Sequence, residues 1–256
     1  MNKDKIIGIV GGVGPVAGLN LVKKIFNQTQ AKNDQEHLSV ALLSFPQDIG
    51  DRTAFLLGET DINPAYAIVN VINKLEKIGA CTVGIACNTV HAPQIFDVIQ
   101  QEMKQANISV KLVNMINEVP SFIIENYPNI KNFGILGTIG TYKTGSYSDV
   151  LERKGFHVIS PSDVLQETVH SAIYDPATGI KAQSSPVTEI VKSKLLKAAN
   201  HLQQQGAEAI ILGCTEVSLA FDNLKVDKLV MIDPSLILAR ALIREANPAK
   251  LKPLSS

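Results

Sequence analysis

Apolar positions in this chain fall into short runs separated by longer stretches of mixed polarity. The runs at 5–10, 38–44, 81–86 and 110–115, then 132–137, 156–160, 208–213 and 228–232, have the length and β-prone composition of strands. Between them the spacing turns helical. In 64–78, Ile68, Val71, Ile72 and Leu75 form an i, i+3, i+4, i+7 stripe, opened by Pro64 and closed by Gly79. In 187–205, Val187, Ile190, Val191, Leu195, Ala199 and Leu202 do the same before Gly206. Strands alternating with amphipathic helices predict an α/β chain of βαβ units whose parallel sheets are covered on both faces.

The pattern repeats. Four predicted strands fall in each half, and GIVGGVGP at 8–15 resembles GILGTIGT at 134–141, as VKLVNM at 110–115 resembles DKLVMI at 227–232. These echoes predict two pseudo-symmetric lobes, each a mainly parallel four-stranded sheet flanked by helices, with a site in the cleft between them. The expected lobes are 1–116, completed by a C-terminal helix within 234–256, and 117–233. The amphipathic tail from Ser235 to Ala246 is expected to pack on the first lobe, and the helix after Met115 to lead into the second. No Pro/Gly/Ser-rich linker separates them.

Composition narrows the partners. Of 256 residues, 24 are Lys or Arg and 24 are Asp or Glu, so no net field favours nucleic acid or an anionic membrane. Residues 6–22 are apolar after Lys3 and Lys5, as in a signal peptide, but Gly8, Gly11, Gly12, Gly14 and Pro15 break the run into strand, turn and helix. No run of 18 uncharged apolar residues occurs elsewhere, which argues against a membrane span. Three cysteines do not make a disulfide framework, and reduced thiols imply the cytosol. His37, His157, His170 and His201 lack metal-ligand spacing with cysteines or carboxylates, so no metal is expected.

Two of the cysteines carry the candidate chemistry. Cys87 lies in Ile-Ala-Cys-Asn-Thr at 85–89 and Cys214 in Leu-Gly-Cys-Thr-Glu at 212–216, each after an apolar strand and before small polar residues. In open parallel sheets, ligands bind outside the carboxyl ends of the strands. The N–H groups of Asn88-Thr89 and Thr215-Glu216 at a helix start suit a carboxylate. The same partial positive charge is expected to draw a thiol down from its ordinary value of about 8.5. Cys81 begins its strand and is expected in the core. The turn Gly11-Gly12-Val13-Gly14 follows strand one, where Gly12 lets backbone approach a substrate. Gly12 to Ala17 nominally fits a dinucleotide fingerprint, but strand two ends Leu43-Ser44-Phe45-Pro46 without an acidic residue for a ribose. No nucleotide is predicted.

The segments GIVGGVGP at 8–15, ACNTVHAP at 86–93, IKA at 180–182 and GCTE at 213–216 together resemble the cofactor-independent aspartate/glutamate racemase family over nearly the whole chain. The resemblance implies two α/β lobes, a cleft site, no pyridoxal phosphate, and a homodimer acting on a small acidic amino acid, aspartate before glutamate. It implies that Cys87 and Cys214 are the paired acid and base, and that Asn88, Thr89 and Thr215 donate to the α-carboxylate. Arg52 matches the arginine for the substrate's side-chain carboxylate, and Lys181 a lysine that approaches from the other lobe. The family often has glycine where this chain has Gln183. His91, four residues after Cys87, is placed to tune that thiol or to bond backbone. Glu216 either holds the ammonium group or caps a helix.

The reaction suits these residue types. Racemisation removes the α-proton from one face and delivers one to the other, which two fixed groups on opposite faces accomplish directly. Each must hold and release a proton near neutral pH, a task that cysteine at about 8.5 meets better than a carboxyl at about 4. Two other readings accompany this one. The superfamily also resembles maleate isomerases, hydantoin racemases and arylmalonate decarboxylases, and the cleft could serve a non-catalytic amino-acid-binding protein. A matched pair of thiols favours catalysis.

Overall fold

The computed structural model describes residues 5–221, 226 and 229–254. Lys3 of the basic start, residue 227 of the DKLVMI echo and residue 228 of the predicted last strand lie outside the described residues. The chain divides into two compact units, residues 1–115 with 235–256, and residues 116–234.

The first unit runs β1 (Ile6–Gly11), α1 (Pro15–Gln28), β2 (Val40–Ser44), α2 (Arg52–Leu56), α3 (Ala65–Lys77), β3 (Ala80–Ile85), α4 (Pro93–Gln105) and β4 (Lys111–Leu112). The second runs α5 (Met115–Asn126), β5 (Asn132–Gly137), α6 (Ile139–Lys143), α7 (Ser146–Glu152), β6 (His157–Ile159), α8 (Asp163–Tyr174), α9 (Glu189–Gln204), β7 (Ala209–Gly213), α10 (Thr215–Phe221) and β8 (Val230–Ile232). Helix α11 (Pro234–Ala246) then returns to the first unit. Each sequence-predicted strand has its counterpart, and the helices predicted in 64–78 and 187–205 are α3 and α9. The molecule is α/β, built from two parallel four-stranded sheets flanked by helices.

Both sheets have the same strand order. The first is β2-β1-β3-β4, with Ile9 beside Leu42 on one side and Val10 beside Ile85 on the other. The second is β6-β5-β7-β8, with Leu136 beside Leu212. In each, the chain leaves the first strand in one direction and returns on its other side, so the sheet has a topological switch point between its two central strands.

Alternation along β1 explains why its run is apolar throughout. Ile7 and Ile9 pack with Leu21 and Ile25 of α1 and Leu238 and Leu242 of α11, while Val10 packs with Ile68, Ile72 and Leu75 of α3 and Ile95 and Ile99 of α4. A strand covered on both faces has no solvent side to mark with polar residues. In the second unit, Leu136, Ile210 and Leu212 join Val169, Ile173, Val191 and Leu195 from α8 and α9. Cys81, expected in the core, is half-buried, with its thiol 3.5 Å from the Ile6 carbonyl. It lies where the β1–β3 register shifts between Ile6 and Ile7.

Candidate active site

Each of the two motif cysteines follows the strand beside its sheet's switch point. β3 ends at Ile85, two residues before Cys87, and β7 ends at Gly213, next to Cys214. Both thiols are nearly buried, Cys87 at 8% and Cys214 at 5% exposure. Their surroundings differ, which the matched motifs do not reveal.

Around Cys87 the backbone does most of the work. After Asn88, a 3-10 turn over Thr89–His91 leads to Pro93, the first residue of α4. Asn88, Thr89 and His91 are all buried. His91 Nδ1 lies 2.8 Å from the Cys87 carbonyl oxygen, and its ring stacks on Phe96 with centroids 5.1 Å apart. Burial drives the imidazole down to about 4, so it is neutral at physiological pH and donates from Nδ1. His91 therefore meets the backbone of Cys87, not its sulfur.

The glycine turn stands at the end of the neighbouring strand. Gly12 adopts φ +83°, and a Cβ there would lie 2.7 Å from backbone atoms of Phe45 and Pro46, so no other residue fits between β1 and the loop after β2. Arg52, 6% exposed and the first residue of α2, donates from Nη1 to the Gly50 carbonyl at 3.0 Å and from Nη2 to the Val13 carbonyl. Asp51 caps that helix through the Ala54 N–H at 2.9 Å. Helix α2 also packs beside the Thr89–His91 turn, and Val13, Ile49, Cys87 and Val90 share one apolar cluster. Gly12, Arg52, Cys87, Asn88, Thr89 and His91 thus gather at one end of the first sheet.

Around Cys214 the side chains do the work. Its thiol donates to Glu216 Oε2 at 3.0 Å, Thr215 Oγ1 donates to the same oxygen at 3.1 Å, and Lys181 Nζ lies 3.4 Å from Oε1. Glu216 is 6% exposed. Burial alone would raise its carboxyl, but the Lys181 ammonium and the hydrogen bonds from Cys214 and Thr215 outweigh it, and the group sits below its ordinary value. The thiol moves the other way. Burial first, and the adjacent carboxylate second, push Cys214 well above its usual range despite the pull of Lys181. The expectation that its position before α10 lowers Cys214 is thus reversed, because burial first and the carboxylate at 3.0 Å second outweigh backbone dipoles. At neutral pH the pair is thiol and carboxylate. Glu216 is held between Cys214, Thr215 and Lys181.

Two contacts had no signal in the motifs. Thr141 Oγ1 donates to the Gly213 carbonyl at 3.2 Å, fixing the residue before Cys214. Lys181 Nζ lies 5.0 Å from the centroid of the Tyr174 ring. Gln183, where the family often has glycine, closes the loop before it through Nε2 to the Ala177 carbonyl at 2.8 Å. Among the described residues no group of three or more His, Cys, Asp or Glu is arranged to hold a metal ion, and no helix is long and apolar enough to cross a membrane.

Comparison with known proteins decides the family. The model of the Asp/Glu/Hydantoin racemase family matches residues 10–242. The chain belongs to that family. Several relatives carry racemase names, and a racemase is an isomerase by class. The broad specificity amino-acid racemase RacX of Bacillus subtilis (strain 168) is 25% identical over 257 residues, covering 93% of this chain and 96% of the relative. The aspartate racemase of Picrophilus torridus superposes with a TM-score of 0.80 at 29% identity, over 97% of this chain and 96% of that one. A glutamate racemase of Francisella tularensis solved with D-glutamate shares the fold, with a TM-score of 0.65 at 16% identity over 100% of this chain and 86% of that one.

Proposed function

We propose that this racemase-family protein interconverts the enantiomers of an acidic amino acid, aspartate first and glutamate second, by proton transfer between Cys87 and Cys214 without pyridoxal phosphate. The observation that carries the reading is the Cys214–Glu216 hydrogen bond in a buried setting, where burial first and the carboxylate second keep one of two matched thiols protonated. A two-base racemase needs one sulfur as acid while the other serves as base.

In the proposed cycle, Cys87 as thiolate takes the α-proton from one face and Cys214 delivers its thiol proton to the other. The product leaves with inverted configuration, Cys87 protonated and Cys214 ionised. The opposite enantiomer reverses each role. Asn88, Thr89 and Thr215 are the proposed donors to the α-carboxylate, whose charge otherwise disfavours a carbanion next to it. Losing one such donor typically costs about a hundred- to a thousandfold in rate.

Arg52 is the proposed partner of the substrate's side-chain carboxylate, with Gly12 supplying backbone at the same end of the sheet. Lys181 is the proposed second cation. Its 3.4 Å contact with Glu216 is long for a charge-assisted hydrogen bond, so a substrate carboxylate can compete for it. A broader substrate range has one support, the broad specificity that the RacX relative carries in its name. We further propose a homodimer, to be checked by sedimentation equilibrium, and a reducing compartment such as the cytosol, in keeping with free Cys81, Cys87 and Cys214.

Incubating the purified protein with a panel of L- and D-amino acids in deuterium oxide tests the reaction. Loss of the α-proton signal of aspartate or glutamate, with both enantiomers accumulating on chiral chromatography, is expected. Tight binding of one enantiomer without exchange would point to a binding protein instead.

A further inference from the structure

We propose that Tyr174 is a positioning residue whose ring face, held flat by His170, determines where the Lys181 ammonium sits.

The backbone brings these residues together by folding back. Helix α8 ends at Tyr174, and the Asp175 carboxylate then accepts from Ala177 N, Thr178 N and Thr178 Oγ1 at 3.0, 2.7 and 3.0 Å. These bonds hold that exposed carboxyl below its ordinary value. Gly179 passes so close that a Cβ would lie 2.6 Å from Asp175 N. Ile180 N and Lys181 N then donate to the Ala172 and Ile173 carbonyls at 3.0 and 3.1 Å. The returning chain caps the helix it has just left, and Lys181 ends beside Tyr174 although seven positions separate them.

Backbone bonds fix only the Cα of Lys181. Its four-carbon stem leaves the ammonium free to sample many places unless partners select one. One partner is Glu216 at 3.4 Å, longer than the 2.7–2.9 Å of a strong charge-assisted bond. Another is the Tyr174 ring at 5.0 Å, inside the range of about 6 Å over which an aromatic face attracts a cation. The ring is itself held. His170, one helical turn earlier, stacks on it with centroids 4.7 Å apart and planes 20° apart, and accepts from Ile139 N at 3.4 Å through Nδ1. A continuous set of contacts runs from the start of α6 through His170, Tyr174, Lys181 and Glu216 to the Cys214 thiol. The consequence for catalysis rests on the racemase reading above, whereas the placement of the ammonium does not.

The test compares Tyr174→Leu, Tyr174→Phe and Tyr174→Trp in the full-length protein. Competitive acylation with acetic anhydride, read at Lys181 by peptide mass spectrometry, reports how well the amine is held as a cation. Tyr174→Leu is expected to raise the rate about two- to tenfold, with Phe within about twofold of wild type and Trp at or below it. In the racemase assay, Tyr174→Leu is expected to raise KM by a similar factor with a smaller change in kcat, and Phe to restore it. Wild-type acylation in Tyr174→Leu, or a Phe variant as reactive as Leu, overturns the proposal. Should the Leu variant fail to fold, the Phe-to-Trp order decides, and Trp more reactive than Phe overturns it. Expected acylation together with no turnover in the wild type would sink the racemase reading and leave this inference standing.

Discussion

The Cys214 thiol donates to Glu216 Oε2 across 3.0 Å, and the two groups displace each other's titration in opposite directions. Burial and the carboxylate keep Cys214 protonated, while Lys181, Cys214 and Thr215 keep Glu216 ionised. At neutral pH the pair is therefore a thiol and a carboxylate.

Replacing the carboxylate tests that relationship. Glu216→Gln removes the charge that raises Cys214 but keeps a side chain able to accept from the thiol. The Cys214 pKa is expected to fall, since the negative charge that disfavours the thiolate is gone. The thiolate forms at lower pH, so the alkaline-side rise in kcat/KM moves to lower pH for the enantiomer that Cys214 deprotonates. Thiolate absorbance of Cys214 in a Cys87→Ala background reads the same shift without turnover. An unmoved titration would mean that the carboxylate is not what holds the proton.

Each thiol is expected to be indispensable. Cys87→Ala and Cys214→Ala should each lower racemisation by at least about 10²–10⁴, the usual worth of a positioned acid or base. Because both side chains are small, circular dichroism should stay native. Near-wild-type turnover of both enantiomers by either variant would end the two-thiol mechanism.

His91 should make stability depend on pH. Its folded value of about 4 lies below the ordinary 6.5, so the unfolded chain takes up a proton that the native protein refuses. Stability is therefore expected to fall as pH drops through the window from about 6.5 to about 4, with a slope approaching ~1.4 kcal/mol per pH unit from this group. His91→Gln, which keeps a donor for the Cys87 carbonyl, should flatten that slope. Urea midpoints measured across this range compare the two proteins.

Arg52 should matter to the fold as well as to the substrate. Arg52→Ala strands the Val13 and Gly50 carbonyls that its guanidinium now serves. A cost of about 1–3 kcal/mol is expected, seen as a lower Tm. Arg52→Lys retains a cation but not the planar fork, and should recover stability only in part. A Tm equal to wild type in Arg52→Ala would show that the two carbonyls do not depend on it.

Much of the architecture was legible in the sequence. The runs that became β1, β3, β5 and β7 are apolar throughout because helices cover both faces, and the echo of 8–15 in 134–141 foretold two duplicated four-stranded sheets. The thiols were legible for the same reason, since a cysteine just past such a run must sit at a strand's carboxyl end. The electrostatics were not. Cys87 and Cys214 look alike in their motifs, yet one is followed by a histidine that turns to the backbone and the other by a carboxylate that turns to the sulfur.

Strand periodicity, turn glycines and the two cysteine motifs are local properties of the chain, so the sequence alone determined the elements, their duplication and the family. Which side chains meet depends on rotamers and on loops that fold back. Only the tertiary structure decided that Arg52 reaches the Val13 carbonyl, that Lys181 lies over Tyr174 and against Glu216, and that burial beside this carboxylate raises Cys214. Charge interactions inside a protein depend on distance and desolvation, and neither is encoded in the spacing of residues along the chain.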